Sequence, residues 1–561
     1  MLEFYRVFFT SGLKKDKTMP DFDLVLQNGT LYDGSGETPY QGDLAIKGDM
    51  IAAIGAPNTL SGETTLDVSG LAVAPGFINM LSWSVESLIE DGRSQSEIRQ
   101  GVTLEVMGEG TSMGPLNEEM RTKGTRGILG NKEIQYEIEW STLGEYLEFL
   151  EKRGVSTNIA SFVGSSTLRV NAIGYEDRPA TEAEMKQMKA LVQQAMEEGA
   201  VGMSAALIYP PATYASTEEL IELCKVVAEY DGMYISHLRS EGPFFIEALE
   251  ELITIAREAK VRAEVYHLKA AGMENWPKMD VAIQRIEAAR AEGLEITADM
   301  YLYPAGGTGL NACIPPWAHD GGEEALLNRL KDPETRAKIK QDILTPSDEW
   351  ENMYLEANDP SRILLAGFKS PTLKPLQGKT LAEVAEERDA HPVDTLIDLL
   401  IEDEGRIFTM YFTISEDNIR KQVQLPWVAF DSDAQSMAPE GIFLKSNPHP
   451  RAYGNFARLL AKYVREEQLV TLQDAVRRLT SFPAENLKIK QRGWLKPNYF
   501  ADVVVFDPAT IQDHATFQNP QQYAVGMKHV FVNGVQVLKE GEHTGAMPGR
   551  VVRGPGYQRH D

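Results

Sequence analysis

Apolar and polar residues alternate from Asp21 to about Leu71, through DLVLQNGTLYDG and DLAIKGDMIAAIG, with Asn28-Gly29 and Lys47-Gly48-Asp49 at the reversals. A two-residue period is that of a half-buried strand, so this end reads as β-hairpins. The same texture returns in ADVVVFDP and HVFVNGVQVLKEGE, where Asn533-Gly534 marks another hairpin. Between these β-rich ends the period changes to that of helices alternating with short apolar runs. EAEMKQMKALVQQAMEEG leads to AVGMSAAL, EELIELCKVVAEYDG to MYISHLRS, EALEELITIAREAK to VRAEVYHLKAAG, and VAIQRIEAARAEG to LEITADMYLYP. Such units of about 30 residues predict a parallel sheet and, near this length, a closed (β/α)8 TIM-like barrel in an α/β fold. Its eight strands are expected at 73–80, 103–108, 158–163, 200–206, 233–237, 262–267, 295–301 and 427–433.

The interval before the last strand, about 305–425, is too long for a linker and holds Gly- and Pro-rich turns, PPWAHDGG and a charged helix. It is expected to be an insertion that caps the barrel mouth as a lid. The opening MLEFYRVFFTSGLKKDKTMP has its apolar stretch ahead of its basic cluster, unlike a signal peptide, and residues 1–20 are expected to be a disordered leader.

Composition narrows the chemistry. The chain has 561 residues, with 55 Lys plus Arg against 82 Asp plus Glu, a formal charge of −27. That field repels phosphate backbones and anionic lipid surfaces, so neither nucleic acid nor a membrane is an expected partner. No run approaches the roughly 18 consecutive apolar residues of a membrane helix. Cys224 and Cys313 are too few for a disulfide framework or a four-thiolate zinc site, which fits a reducing, cytoplasmic setting.

Side chains at the carboxyl ends of barrel strands converge on one face, so polar residues there carry functional weight. They are Glu109 after strand two, His237 and His267 after strands five and six, Tyr301 at strand seven and Asp433 after strand eight. Two neutral imidazoles and a carboxylate make a ligand set for a catalytic zinc with one position open to water, and a further carboxylate can serve as base and then acid. Each residue has a plainer reading. A lone strand-end histidine is more often structural, and Glu109 in GEGTSMGP competes with a helix-capping role. Asp431 lies two residues before Asp433, on the same side of an extended strand, so periodicity does not choose between them. Arg239 in HLRSEG, Lys269 in HLKAAG and Arg451 in NPHPRAYG are cations that can hold a substrate carboxylate, or simply surface charges.

Together the motifs NGTLYDGSG, APGFI, GMSAALIYPPATYAST, ISHLRSEG, HLKAAG, DMYLYP, PPWA, SDA, PHPRAYG and LTSFPAENLKI followed by ADVVVFDP resemble the N-acyl-D-amino-acid deacylases (D-aminoacylases) of the amidohydrolase superfamily. The resemblance runs from about Phe22 to Val552. It implies a metal-dependent barrel at 73–485, a small β-sandwich built from 21–72 and 486–561, and hydrolysis of the amide of an N-acyl-D-amino acid. By motif, His237 and His267 fall on the family's two histidine ligands of a tightly held zinc, and Asp433, rather than Asp431, on its catalytic aspartate. Lys269, Tyr301 and Arg451 fall on residues that contact the substrate carboxylate or polarise the scissile carbonyl.

Two departures mark a divergent branch. The superfamily's His-x-His after strand one is replaced in INMLSWSVES by Leu81 and Trp83. The family's cysteine ligand is missing, and Glu109 takes its place. The expectation is one zinc ion per chain, held by Glu109, His237 and His267, with Asp433 and Tyr301 catalytic and Lys269, Arg451 and Arg239 binding a small N-acyl amino acid. The alternatives are a cyclic-amide hydrolase of the hydantoinase or dihydroorotase kind, against which strand four offers no lysine, and a non-catalytic pseudo-amidohydrolase.

Overall fold

At Gly76 the chain passes from one sheet into another. A β-carbon there would lie 2.0 Å from Thr103 Oγ1, so only glycine lets the backbone cross so close to its neighbour. The strand expected at 73–80 is therefore two strands: Ala72–Pro75 belongs to the sheet of the chain ends, and Phe77–Ser82 is the first barrel strand. The computed structural model describes residues 21–123, 134, 136–347, 350–405, 407–445 and 447–558. The leader expected at 1–20 lies outside the described residues.

The barrel follows in order. Phe77–Ser82, Val102–Met107 and Asn158–Ser161 pair in parallel. Val163–Gly164, Gly202–Ala206, Met233–His237, Arg262–Val265 and Ile296–Ala298 form a second parallel run. The eighth segment, 427–434, closes the ring by two isolated parallel bridges, Ala298 to Val428 and Ser82 to Ala434. Its hydrogen bonds pass from one neighbour to the other: Ala429 and Asp431 N–H donate to Ala298 O and Met300 O at 2.8 and 3.1 Å, and Asp433 N–H to Leu81 O at 3.0 Å. Ile78, Leu104, Phe162, Ile235, Tyr266 and Ala429 come from six different barrel segments and pack in one cluster, which only the lumen permits.

The helices behave as their periodicity predicts. Glu182–Glu197 begins at Thr181, whose hydroxyl accepts from Glu184 N–H while the Glu184 carboxylate accepts from Thr181 N–H. This reciprocal cap satisfies two otherwise orphaned donors. Its buried face, Met188, Val192, Ala195 and Met196, follows the 3.6-residue repeat.

Both chain ends meet in one nine-stranded, branched sheet, in which Val503–Phe506 pairs antiparallel with Ala72–Pro75 and Phe22–Leu31 pairs with three neighbours. Leu26, Leu44, Ile51, Val503 and Phe531 form its own core. The insertion carries an antiparallel three-stranded sheet, Gly306–Gly309, Phe408–Tyr411 and Ile363–Gly367, over a separate core that includes Leu310, Leu365 and Leu396. Among the described residues no helix is long and apolar enough to cross a membrane.

Candidate active site

His237, at the end of its barrel strand, and Glu109 and His267, each two residues beyond the end of theirs, offer ligand atoms to one point. Glu109 Oε1 lies 3.2 Å from His237 Nδ1 and 3.0 Å from His267 Nε2, and the two nitrogens are 3.1 Å apart. Ligand atoms on a tetrahedral zinc, at about 2.0–2.1 Å from it, are separated by roughly 3.3–3.4 Å, so this triangle matches one face of such a site. All three side chains are buried. Burial works against the Glu109 charge, but His267 and His237 outweigh it and hold the carboxyl well below its usual range. An anionic oxygen and two imidazole nitrogens facing one point fit a borderline divalent ion.

Local backbone geometry aims these groups. Gly110, beside Glu109, has φ of +58°, and a β-carbon there would approach Ala206 Cβ to 2.5 Å, so the turn that presents Glu109 requires glycine. The helix-capping alternative for Glu109 does not describe its contacts, which are with the two imidazoles. His267 and Asp433 are non-glycine residues with φ of 33° and 41°. Each costs about 1–3 kcal/mol, and such strain clusters where side-chain direction serves a site. It is offset locally: Asp299 Oδ1 accepts the His267 N–H, and Leu81 O accepts the Asp433 N–H.

Asp433 is gripped on both oxygens. Arg451 Nη2 lies 2.8 Å from Oδ2, and the Trp83 indole N–H donates to Oδ1 at 3.0 Å. Burial raises the Asp433 pKa above the ordinary carboxylate value, with Arg451 opposing it. Asp431, the other carboxylate left open by the periodicity, is fully buried, and neither of its oxygens has a hydrogen-bond partner among the described residues. Burial, and then repulsion from Asp433, pushes it up to about 7.

Tyr301 lies under the Arg451 guanidinium, 4.3 Å from its ring centre, and its hydroxyl has no partner among the described residues. Burial pushes this phenol up to about 12, so it is a hydrogen-bond donor at neutral pH. Arg451 Nε and Nη1 are likewise buried without partners. Lys269 Nζ is 2.6 Å from Glu241 Oε1. Arg239 is placed differently. Its Nε and Nη2 bind both Glu251 oxygens at 2.9 Å, and Nη1 and Nη2 donate to Thr213 O and Ala215 O at 2.9 Å. It braces the loop after strand four while lining the cavity wall.

Sequence reasoning passed over three residues. Glu241 sits 3.2 Å from His267 Nδ1 and 3.7 Å from His237 Nε2, behind the ligands; its place four residues after His237 in HLRSEG was the available signal. Burial raises its pKa, but His237 and Lys269 prevail and keep it ionised. Glu351, from the insertion, accepts the N–H groups of Glu241 and Gly242 and so ties lid to loop. His449 accepts the Arg451 N–H at Nδ1, 3.1 Å, and donates from Nε2 to Ala305 O at 2.9 Å. Burial, and then the Arg451 charge, drives its pKa well down, so a neutral ring sets the start of the helix bearing Arg451.

Above this floor is a cavity of about 580 Å³, walled on the barrel side by Trp83, Tyr209 and Met437 and on the insertion side by Ile314, Leu326 and Phe408.

Comparison with known proteins agrees with this architecture. A model of the amidohydrolase family matches residues 444–538. A D-aminoacylase of Alcaligenes xylosoxydans xylosoxydans is 35% identical over 536 residues, 95% of this chain and 97% of the relative. The crystal structure of N-acyl-D-glutamate deacylase from Bordetella bronchiseptica, complexed with zinc and a phosphonate mimic of the tetrahedral intermediate, superposes with a TM-score of 0.79 at 29% identity, covering 95% of this chain and 99% of that one. A D-aminoacylase structure concerned with its binuclear metal centre, described as one-metal activation and second-metal attenuation, gives 0.78 at 31% identity over 95% of this chain and 100% of that one. The chain therefore belongs to the D-aminoacylase (N-acyl-D-amino-acid deacylase) family of the amidohydrolases.

Proposed function

We propose that this protein hydrolyses the amide bond of N-acyl-D-amino acids, with one zinc ion held by Glu109, His237 and His267. The observation that carries the reading is the buried triangle of Glu109, His237 and His267 at the floor of a cavity, with Asp433 and two donor groups that have no partner among the described residues beside it. When bound, the ion supplies water activation and carbonyl polarisation.

The rest is done by the chain's own groups. Asp433 accepts the proton of the attacking water and delivers it to the nitrogen of the leaving amine, which breaks the C–N bond and releases a free amino acid and a carboxylic acid. Its raised pKa, held within reach by Arg451, suits a group that must both take and give a proton. The free Tyr301 hydroxyl donates to the carbonyl oxygen as negative charge develops there, and such a donor costs no reorganisation during reaction. Arg451 Nε and Nη1 satisfy the substrate carboxylate, which in turn removes their unpartnered burial. Lys269 adds positive charge beside Tyr301, 5.6 Å from its ring centre. Arg239 contributes by bracing the wall of the cavity. The lid excludes water from this volume.

Leu81 is fully buried and Trp83 is turned to Asp433, so neither offers an imidazole to a second ion. The names of the relatives support the D configuration of the substrate. The cyclic-amide alternative finds no lysine on Gly202–Ala206. The test is release of free amino acid from a panel of paired N-acyl-D- and N-acyl-L-amino acids by zinc-loaded protein, with metal analysis of the same sample. Turnover of the D series with about one zinc per chain is expected. Turnover restricted to L-enantiomers or cyclic amides, or none with zinc bound, overturns it.

A further inference from the structure

Trp83 has an unusual pairing for a residue in a hydrophobic position. Its ring lines the cavity, and its one polar atom, the indole N–H, is spent on Asp433 Oδ1 at 3.0 Å. The pairing is built into the closure of the barrel. Trp83 N–H donates to Ala434 O at 2.9 Å, and Asp433 N–H to Leu81 O at 3.0 Å, so the ends of strands one and eight are locked in register with the two side chains adjacent. Asp433 has a left-handed backbone, φ 41°, which turns its carboxylate out of the strand toward the indole. Arg451 holds the other oxygen.

We propose that Trp83 is a positioning residue for hydrolysis, its indole N–H fixing the rotation of the Asp433 carboxylate so that the free lone pairs of that carboxylate face the attacking water. The inference rests on the reading of Asp433 as the proton-transferring group. A carboxylate held only by Arg451 at Oδ2 can still rock about its Cβ–Cγ bond within the tolerance of one contact; a second donor on Oδ1 narrows that rocking. Each oxygen has two lone pairs, so one remains on each after these bonds are made. An indole suits the place because it donates and never accepts, and so cannot compete for the proton that Asp433 is to receive. A bond to the ionised carboxylate also favours the unprotonated form that the first proton transfer requires.

The decisive comparison is of Trp83→Phe, which keeps the ring and deletes the donor, and Trp83→Gln, which keeps a donor and deletes the ring. The first is expected to lower kcat about 10- to 100-fold, the range for loss of a hydrogen bond to a charged group, with KM and zinc content near those of the unaltered protein. The acid limb of its kcat/KM profile moves to higher pH, because the carboxylate loses a bond that favours ionisation. Trp83→Gln recovers part of kcat. Unchanged kcat in Trp83→Phe, or a rise in KM with an unmoved pH profile, reduces Trp83 to a cavity wall and overturns the proposal. If the Phe variant fails to fold, ¹⁵N-indole labelling of Asp433→Asn answers the same question: the Trp83 N–H resonance shifts if the bond exists in solution, and an unshifted resonance overturns it. Full activity of Asp433→Asn instead removes the underlying reading of the base, a different outcome from an inactive Asp433→Asn beside a fully active Trp83→Phe.

Discussion

Glu241 Oε1 lies 2.6 Å from Lys269 Nζ and 3.2 Å from His267 Nδ1, and Lys269 Nζ is itself 2.6 Å from that nitrogen, so a buried carboxylate and a lysine together meet the back of a metal-ligand candidate. With Nε2 of His267 directed at Glu109, Nδ1 is the atom through which the ring is oriented from behind. Carboxylates in this relation to metal-binding histidines fix ring orientation and raise ligand basicity, and their loss typically lowers metal affinity about 10- to 100-fold. Glu241→Gln keeps shape and removes charge. It is expected to weaken zinc binding by about that factor in a chelator competition titration; an unchanged zinc Kd would contradict the role.

Arg451 and Arg239 are both cavity arginines, and their partners predict opposite consequences of removal. Arg451 has no partner for Nε and Nη1 among the described residues and pairs with Asp433, so Arg451→Met is expected to lower kcat/KM by about 30-fold or more, the equivalent of about 2 kcal/mol lost from a buried charge pair. Arg239 is engaged with Glu251 and two backbone carbonyls. Arg239→Met is expected to cost about 1.5–3 kcal/mol of stability while the folded fraction keeps a kcat near the unaltered value. Steady-state kinetics beside chemical denaturation of each variant separates the two.

Asp431 supplies a pH dependence. Its carboxyl is pushed up to about 7 by burial and by Asp433, whereas an unfolded chain titrates it near 4. Between about pH 4 and pH 7 the folded state holds the extra proton, so the stability it confers is present at the acid end and is lost as pH rises through that window. Asp431→Asn cannot ionise. Its unfolding free energy is expected to fall less steeply than that of the unaltered protein from pH 5 to 7, by up to about 1.4 kcal/mol per pH unit. A steeper fall in the variant, measured by denaturation across that range, would contradict the assignment.

Much of the barrel was legible along the chain because helices and strands bury one face each and repeat their apolar residues at different intervals. The histidines were legible for a related reason: His237 and His267 end consecutive strands, and parallel strands bring their carboxyl ends to one rim. The division at Gly76 was not legible, because apolar residues run through both strands and only contact with Thr103 requires the break. The strand at 427–433 was legible as an apolar run, yet it pairs through two isolated bridges, since it must bond to strands one and seven across the barrel's closure.

The sequence by itself determined the periodicities, the acidic surface and the supply of chemically able residues at strand ends, because each of these is a property of residue type and spacing. Which of those residues share a site was decided by the tertiary structure. Arg239 and Lys269 occupy equivalent positions two residues beyond a histidine, but one is bound to Glu251 and the other faces Glu241 beside Tyr301. Trp83 and Asp433 are 350 residues apart in the chain, and closure of the barrel between strands one and eight puts an indole N–H on a carboxylate oxygen. No local pattern encodes such a contact, because it depends on where the ring of strands is joined.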